Sequence, residues 1–215
     1  MDRLSKDSAT VGNKFVTPHE QLILASQRNK ERGWGFTEAD FAILCNPPEW
    51  PSENLSAIVL DITLDTVAET LEEGWHFAAS RQPAHWRWSR IKSDSDHLRL
   101  SPGLEHHRGL RWQLIDLAGR VEESTAFSVQ QSSPSAVLWA ASYFPKWIQL
   151  MDGAAVPYVL ISGYQLTVSP CHQWRGTLLL YWNPFLHRLE MDATESSVRQ
   201  AGFVMPRFVE QIGLT

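Results

Sequence analysis

Cysteine is scarce in this chain. Two cysteines, Cys45 and Cys171, among 215 residues give no disulfide framework. None is needed, because a chain of this length can bury about 70% of its unfolded surface. Long apolar runs are also missing. The longest, 136–141 and 178–182, fall far short of the roughly 20 residues that cross a bilayer. The first fourteen residues, MDRLSKDSATVGNK, have no apolar centre, so no secretory signal is readable in them. There is no excess of base either. Nineteen Lys and Arg against 24 Asp and Glu leave a net charge of −5, which disfavours a nucleic-acid coat but leaves room for a local basic patch. These absences predict a soluble, cytoplasmic protein.

Catalytic signatures are missing in the same way. The chain holds no glycine-rich phosphate loop, no GxGxxG, no GxSxG elbow and no HExxH, which disfavours a nucleotide-cofactor enzyme, an α/β hydrolase or a zinc peptidase. No RNP motif, KH loop or zinc-finger spacing occurs, so a nucleic-acid reading has no motif behind it.

What is present is ordinary globular composition, 43% apolar and 20% charged, with one exception. Ten tryptophans are far more than usual for this length. Tryptophan supplies large buried area and asks for a partner for its N–H. It is also enriched at binding surfaces.

Residues 1–16 are polar and read as a flexible N-terminus; 17–215 read as one α+β domain, with a weak subdivision near 119–133. Thr17, Pro18 and Glu20 form a helix start, and Gly33 stops that helix. Thr37 opens a short helix that must end before Pro47. Ile58, Leu60, Ile62 and Leu64 alternate as one face of a strand. Thr66 and Glu69 cap a helix with Val67, Leu71, Trp75 and Ala78 on its buried stripe. From Ala84 the pattern turns to strands: HWRWSRI, HLRL and RGLRWQLIDL. A further helix begins at Ser133–Pro134 and is interrupted at Pro145. Strands VPYVLIS, YQLTV, TLLLYW and FLHRLEM follow, the last two pairing as a hairpin across Asn183–Pro184. The tail carries Pro206 and reads as an edge strand. Strands and helices do not alternate strictly, which predicts α+β: a largely antiparallel sheet or sheets with helices packed on one side.

The block SAVLWAASYFPKWIQLMDGAAVPYVLISGYQLTV, followed by WRGTLLLYW and preceded by RWQLIDL, resembles a recurring block in a family of small bacterial proteins with no known activity. The resemblance covers roughly 110–182. It implies one compact C-terminal unit and carries no catalytic residue with it.

The segment 81–112 concentrates the chemistry. Seven basic residues face three acidic ones, so it carries +4 while the remainder carries −9. It also holds four of the eight histidines, together with Trp86, Trp88 and Trp112. On a strand, Trp86, Trp88 and Arg90 point one way and His85, Arg87 and Ser89 the other. The expected recognition face is His85, Trp86, Arg87, Trp88, Arg90, His106, His107 and Arg108. Arginine forks and indole faces suit an anion, so the expected partner is an anionic small molecule, a nucleic acid or an acidic protein surface, with no membrane and no cofactor. The same residues would otherwise only cover aromatic faces through cation–π contacts.

Two alternatives come from other residues. Asp94, Asp96, His97, Glu105, His106 and His107 would serve a metal-assisted hydrolase, although adjacent His106 and His107 point to opposite sides of a strand. Cys171 with His187 would make a thiol nucleophile and base, although no cysteine signature surrounds it. A third reading is a structural subunit whose exposed tryptophans bury in a partner protein.

Overall fold

The computed structural model describes residues 16–45, 56–117, 133–151, 158–167, 174–195 and 206–212. Five helices and eight strands occur in them: α1 (Pro18–Arg32), α2 (Glu38–Ala42), β1 (Ser56–Thr63), α3 (Val67–Ser80), β2 (His85–Arg87), β3 (Leu98–Leu100), β4 (Gly109–Asp116), α4 (Pro134–Tyr143), α5 (Pro145–Gln149), β5 (Val159–Leu166), β6 (Gly176–Asn183), β7 (Arg188–Glu195) and β8 (Arg207–Ile212).

The first three helices begin where the sequence places caps. Thr17, Thr37 and Thr66 each accept a bond from the backbone N–H three residues on, and the acid at that position bonds back to the threonine N–H. Each box satisfies two otherwise orphaned donors, at about 1 kcal/mol per cap. Gly33 ends α1 at φ 67°, a left-handed conformation that favours glycine.

Two sheets form. One is three-stranded and antiparallel, in the order β1-β4-β8. The other has five strands in the order β2-β7-β6-β5-β3, antiparallel except where β2 runs parallel to β7. The fold is therefore α+β with largely antiparallel sheets and helices packed against them. All ten residues of α4 are buried, because it packs against β1, β5 and α3. Its sequence, PSAVLWAASY, has no polar face to give to solvent, as a helix covered all round requires. A Cβ on Gly74 of α3 would sit 3.0 Å from the Leu138 Cβ. This close crossing of α3 and α4 explains a glycine that otherwise weakens its helix.

Among the described residues, Trp34, Trp75, Trp112, Trp139, Trp147 and Trp182 are buried. Trp139 lies at the centre, with ring centroids 5.7 Å from Trp34, 5.8 Å from Phe77 and 6.4 Å from Tyr143. For these six the indole is core.

The free edge of β1 is closed by side chains. Gln21 donates to Ile58 O and accepts from Leu60 N, both at 2.8 Å. Trp139 Nε1 donates to Ile62 O at 2.8 Å. Thr70 Oγ1 accepts from Leu64 N, and His106 Nε2 meets Leu64 O at 2.9 Å. An edge strand presents a row of unpaired donors and acceptors to other chains; here Ile58 O, Leu60 N, Ile62 O and both Leu64 backbone groups are occupied.

Candidate functional site

The eight residues expected to share a face do not share one. His85, Trp86 and Arg87 lie on β2, at the edge of the five-stranded sheet. His106, His107 and Arg108 lead into β4 of the other sheet. HWRWSRI is a strand only over its first three residues; Trp88 still bonds β7 through its N–H to Met191 O, and a turn follows.

The arginines are largely engaged. Arg87 Nη1 bonds Glu72 at 2.6 Å, and Nη2 bonds Ile91 O and Ser93. Burial pushes the Glu72 carboxyl up, but the bonds from Ser93 and Arg87 outweigh it and hold it below its ordinary value. Arg108 pairs with Asp65 at 2.8 Å, donates to Trp34 O at 2.7 Å and lies over Phe36. Arg90 lies over Trp88, 5.4 Å from the ring centroid. Each cation finds a carboxylate, a carbonyl or a ring within reach, which is the cheaper arrangement for a guanidinium half withdrawn from water. Residues 85–108 are thus divided between the edge of one sheet and the approach to the other.

The acid and imidazole cluster is dispersed too. His97 pairs with Asp94 at 2.5 Å within its own turn, and His107 with Glu105 at 2.8 Å. His106 turns inward to Leu64 O. Among the described residues no three His, Cys, Asp or Glu side chains converge in a way that would hold a metal ion. Cys171 lies outside the described residues, and His187 sits in the turn between β6 and β7.

Two carboxylate centres were not visible from the sequence. The first is Asp61 on β1, fully buried. Ser135 Oγ donates to Oδ1 at 2.5 Å, Gln113 Nε2 donates to Oδ2 at 2.7 Å, and Arg111 Nε forms an ion pair with Oδ2 at 3.2 Å. The register β1–β4 sets Asp61 opposite Arg111, and Ser135 arrives from the first turn of α4. Burial pushes the Asp61 carboxyl up, against the pull of Arg111 and Ser135.

The second centre is Glu190 on β7, on the face of the five-stranded sheet that also carries Tyr181, Asn183 and Arg188. The Tyr181 hydroxyl donates to Oε2. Asn183 Nδ2 and Arg188 Nε donate to Oε1 at 2.8 and 2.7 Å. Burial works against the Glu190 charge, yet these three donors hold the carboxyl below its ordinary range. The β2–β7 register sets Trp86 beside Glu190, and the Arg188 guanidinium lies over the Trp86 ring at 5.4 Å.

Asn183 also builds the turn that follows. Its Oδ1 accepts from Phe185 N and Leu186 N at 3.1 and 3.0 Å, an Asx-type arrangement, and His187 takes φ 47°. The turn is thus fixed while its side chains face outward: Phe185 is 89% and Leu186 55% exposed. FLHRLEM is a strand only from Arg188 onward. One signal in the sequence pointed here, the Phe–Leu pair directly after Asn–Pro, where a turn ordinarily carries polar residues.

A shallow groove lies between α1 and α2. Two hollows of about 460 and 310 Å³ share Ser26, Phe41 and Cys45. The exposed Cys45 thiol donates to Phe41 O at 3.7 Å.

No helix among the described residues is long and apolar enough to cross a membrane. Comparison with known proteins finds no matching family model, curated protein or solved structure.

Proposed function

We propose that this chain is a protein-binding module and that its recognition surface is the end of the five-stranded sheet formed by Trp86, Arg188 and the Phe185–Leu186 turn. The observation that carries this reading is the exposure of Phe185 and Leu186 on a turn whose backbone is hydrogen-bonded. A frayed loop shows apolar side chains at no cost to order; a fixed turn that does so exposes them persistently. Trp86, half-buried beneath Arg188, adds the residue types that most often anchor an interface. The reading keeps Trp86 from the sequence-derived face, while His85 alternates to the other side of β2, against Trp75. It replaces Arg87, His106, His107 and Arg108, whose polar groups are met within the chain.

The test is co-purification from the native cell with the partner identified by mass spectrometry. The double variant Phe185→Ser, Leu186→Ser is expected to lose that partner while its melting temperature stays within about 2 °C of wild type, since exposed substitutions change stability little. Retention of the partner by the double variant overturns the reading.

A further inference from the structure

We infer that the partner presents an acidic side chain beside an apolar contact, and that Arg188 receives it. This rests on the recognition surface proposed above and names the chemistry that would fit it.

Arg188 holds Glu190 through Nε alone. Among the described residues its two Nη atoms make no hydrogen bond and no ion pair. The side chain is nonetheless fixed at two points, by Glu190 on one edge and by the Trp86 ring beneath. A guanidinium held in this way offers the planar pair of Nη donors that matches a carboxylate with two parallel bonds. Preorganisation lowers the ordering cost of binding, because little rotamer freedom remains to be lost.

The surroundings favour an acidic visitor. The strips 81–88 and 183–191 hold Arg81, Arg87 and Arg188 with His85 and His187, against the single acid Glu190. Glu190 is only 4% exposed and already accepts from three donors. Arg87 faces Glu72 on α3. On these two strips Arg81, Arg188 and the two histidines remain, on a chain that is acidic as a whole. Asp192, further along β7, turns its carboxylate to Ala193 N. A nucleic acid would ask for a row of cations along a backbone; this end offers one fork beside two exposed apolar side chains. A protein surface with one carboxylate next to an aliphatic or aromatic side chain matches it.

The probe is a synthetic peptide, Glu-Glu-Leu-Phe-Glu-Glu with blocked ends, titrated into the ¹⁵N-labelled full chain. Controls are the same peptide with lysine for glutamate, a ten-residue oligothymidylate, and phosphatidylglycerol vesicles. The acidic peptide is expected to shift the Trp86 indole N–H and the 185–188 amides, with affinity falling at least fivefold in Arg188→Gln. Arg81→Glu leaves the Glu190 centre untouched and is expected to weaken binding two- to threefold. Equal shifts with the lysine peptide, shifts only with the oligonucleotide or vesicles, no shift at millimolar peptide, or unchanged affinity in both variants overturns the inference. Failure here is separable from failure of the surface itself. If the Phe185/Leu186 variant loses its native partner but that partner's contact face is basic, only the acidic chemistry falls.

Discussion

Asp61 and Glu190 meet the same three kinds of group: a hydroxyl (Ser135 or Tyr181), a side-chain amide (Gln113 or Asn183) and an arginine, which donates to Glu190 through Arg188 Nε but forms only an ion pair with Asp61 through Arg111. Their titration nevertheless moves in opposite directions, up for Asp61 and down for Glu190. Depth is the difference. Asp61 lies on the three-stranded sheet against a helix buried on all sides, where the loss of hydration exceeds what two donors and an ion pair return. Glu190 lies nearer the surface, and there the donors win. The arginines differ as well. Besides its ion pair, Arg111 donates through Nη2 to Thr63 Oγ1 and His107 O, so more of its donors are engaged within the chain although its side chain is 24% exposed. Arg188 leaves its outer nitrogens facing away from Glu190. One centre locks the core; the other braces a surface.

The largest effect that separates them is stability. Asp61→Ala strands Arg111 and two further donors in the interior, and is expected to cost about 3–5 kcal/mol in urea unfolding. A loss below about 1 kcal/mol would mean that water already reaches this centre.

Arg87 comes next. Its side chain is 16% exposed and bonds Glu72, Ser93 and Ile91 O, so Arg87→Ala is expected to cost about 1–3 kcal/mol and to leave partner binding unchanged. Weakened binding at full stability would return Arg87 to the recognition face.

The pH dependence sharpens the comparison further. Asp61 has a folded pKa above its unfolded value, so its contribution is greatest below about pH 4 and declines as pH rises through the raised pKa. Glu190 has a depressed folded pKa, so its contribution is present above about pH 4.5 and is lost as pH falls through the lower value. Asp61→Asn and Glu190→Gln should therefore change the slope of stability against pH with opposite signs. Urea midpoints between pH 3 and 6 provide the check, and slopes of the same sign would refute the account of depth. The smallest expected effect on stability is that of Phe185→Ser with Leu186→Ser, under about 0.5 kcal/mol.

Much of the framework was legible in the sequence, because local rules governed it. Three threonine capping boxes, the period-two face of β1 and the β6–β7 hairpin all appear where the residues place them. The candidate site was less legible, for a physical reason. Arg87, Arg108 and Arg111 are close in sequence, but their partners Glu72, Asp65 and Asp61 come from α3 and the β1 region. A count of local charge cannot register carboxylates delivered from other elements. Phe185 and Leu186 read as strand because their apolar spacing continues into β7, whereas the Asn183 side chain imposes the turn.

The account stands on the claim that the Trp86–Phe185–Arg188 end, among all exposed parts of the molecule, is where a partner sits. Photo-crosslinking in the native cell tests this most directly, with a photoreactive phenylalanine analogue placed singly at 185 or 187, at the competing exposed apolar positions Ile23 and Ile43, and at Lys146. Covalent adducts of one defined mass from 185 and 187, and none from 23, 43 or 146, are the expected result. Adducts from 23 or 43 with none from 185 would move the interface to the α1–α2 groove and contradict the account.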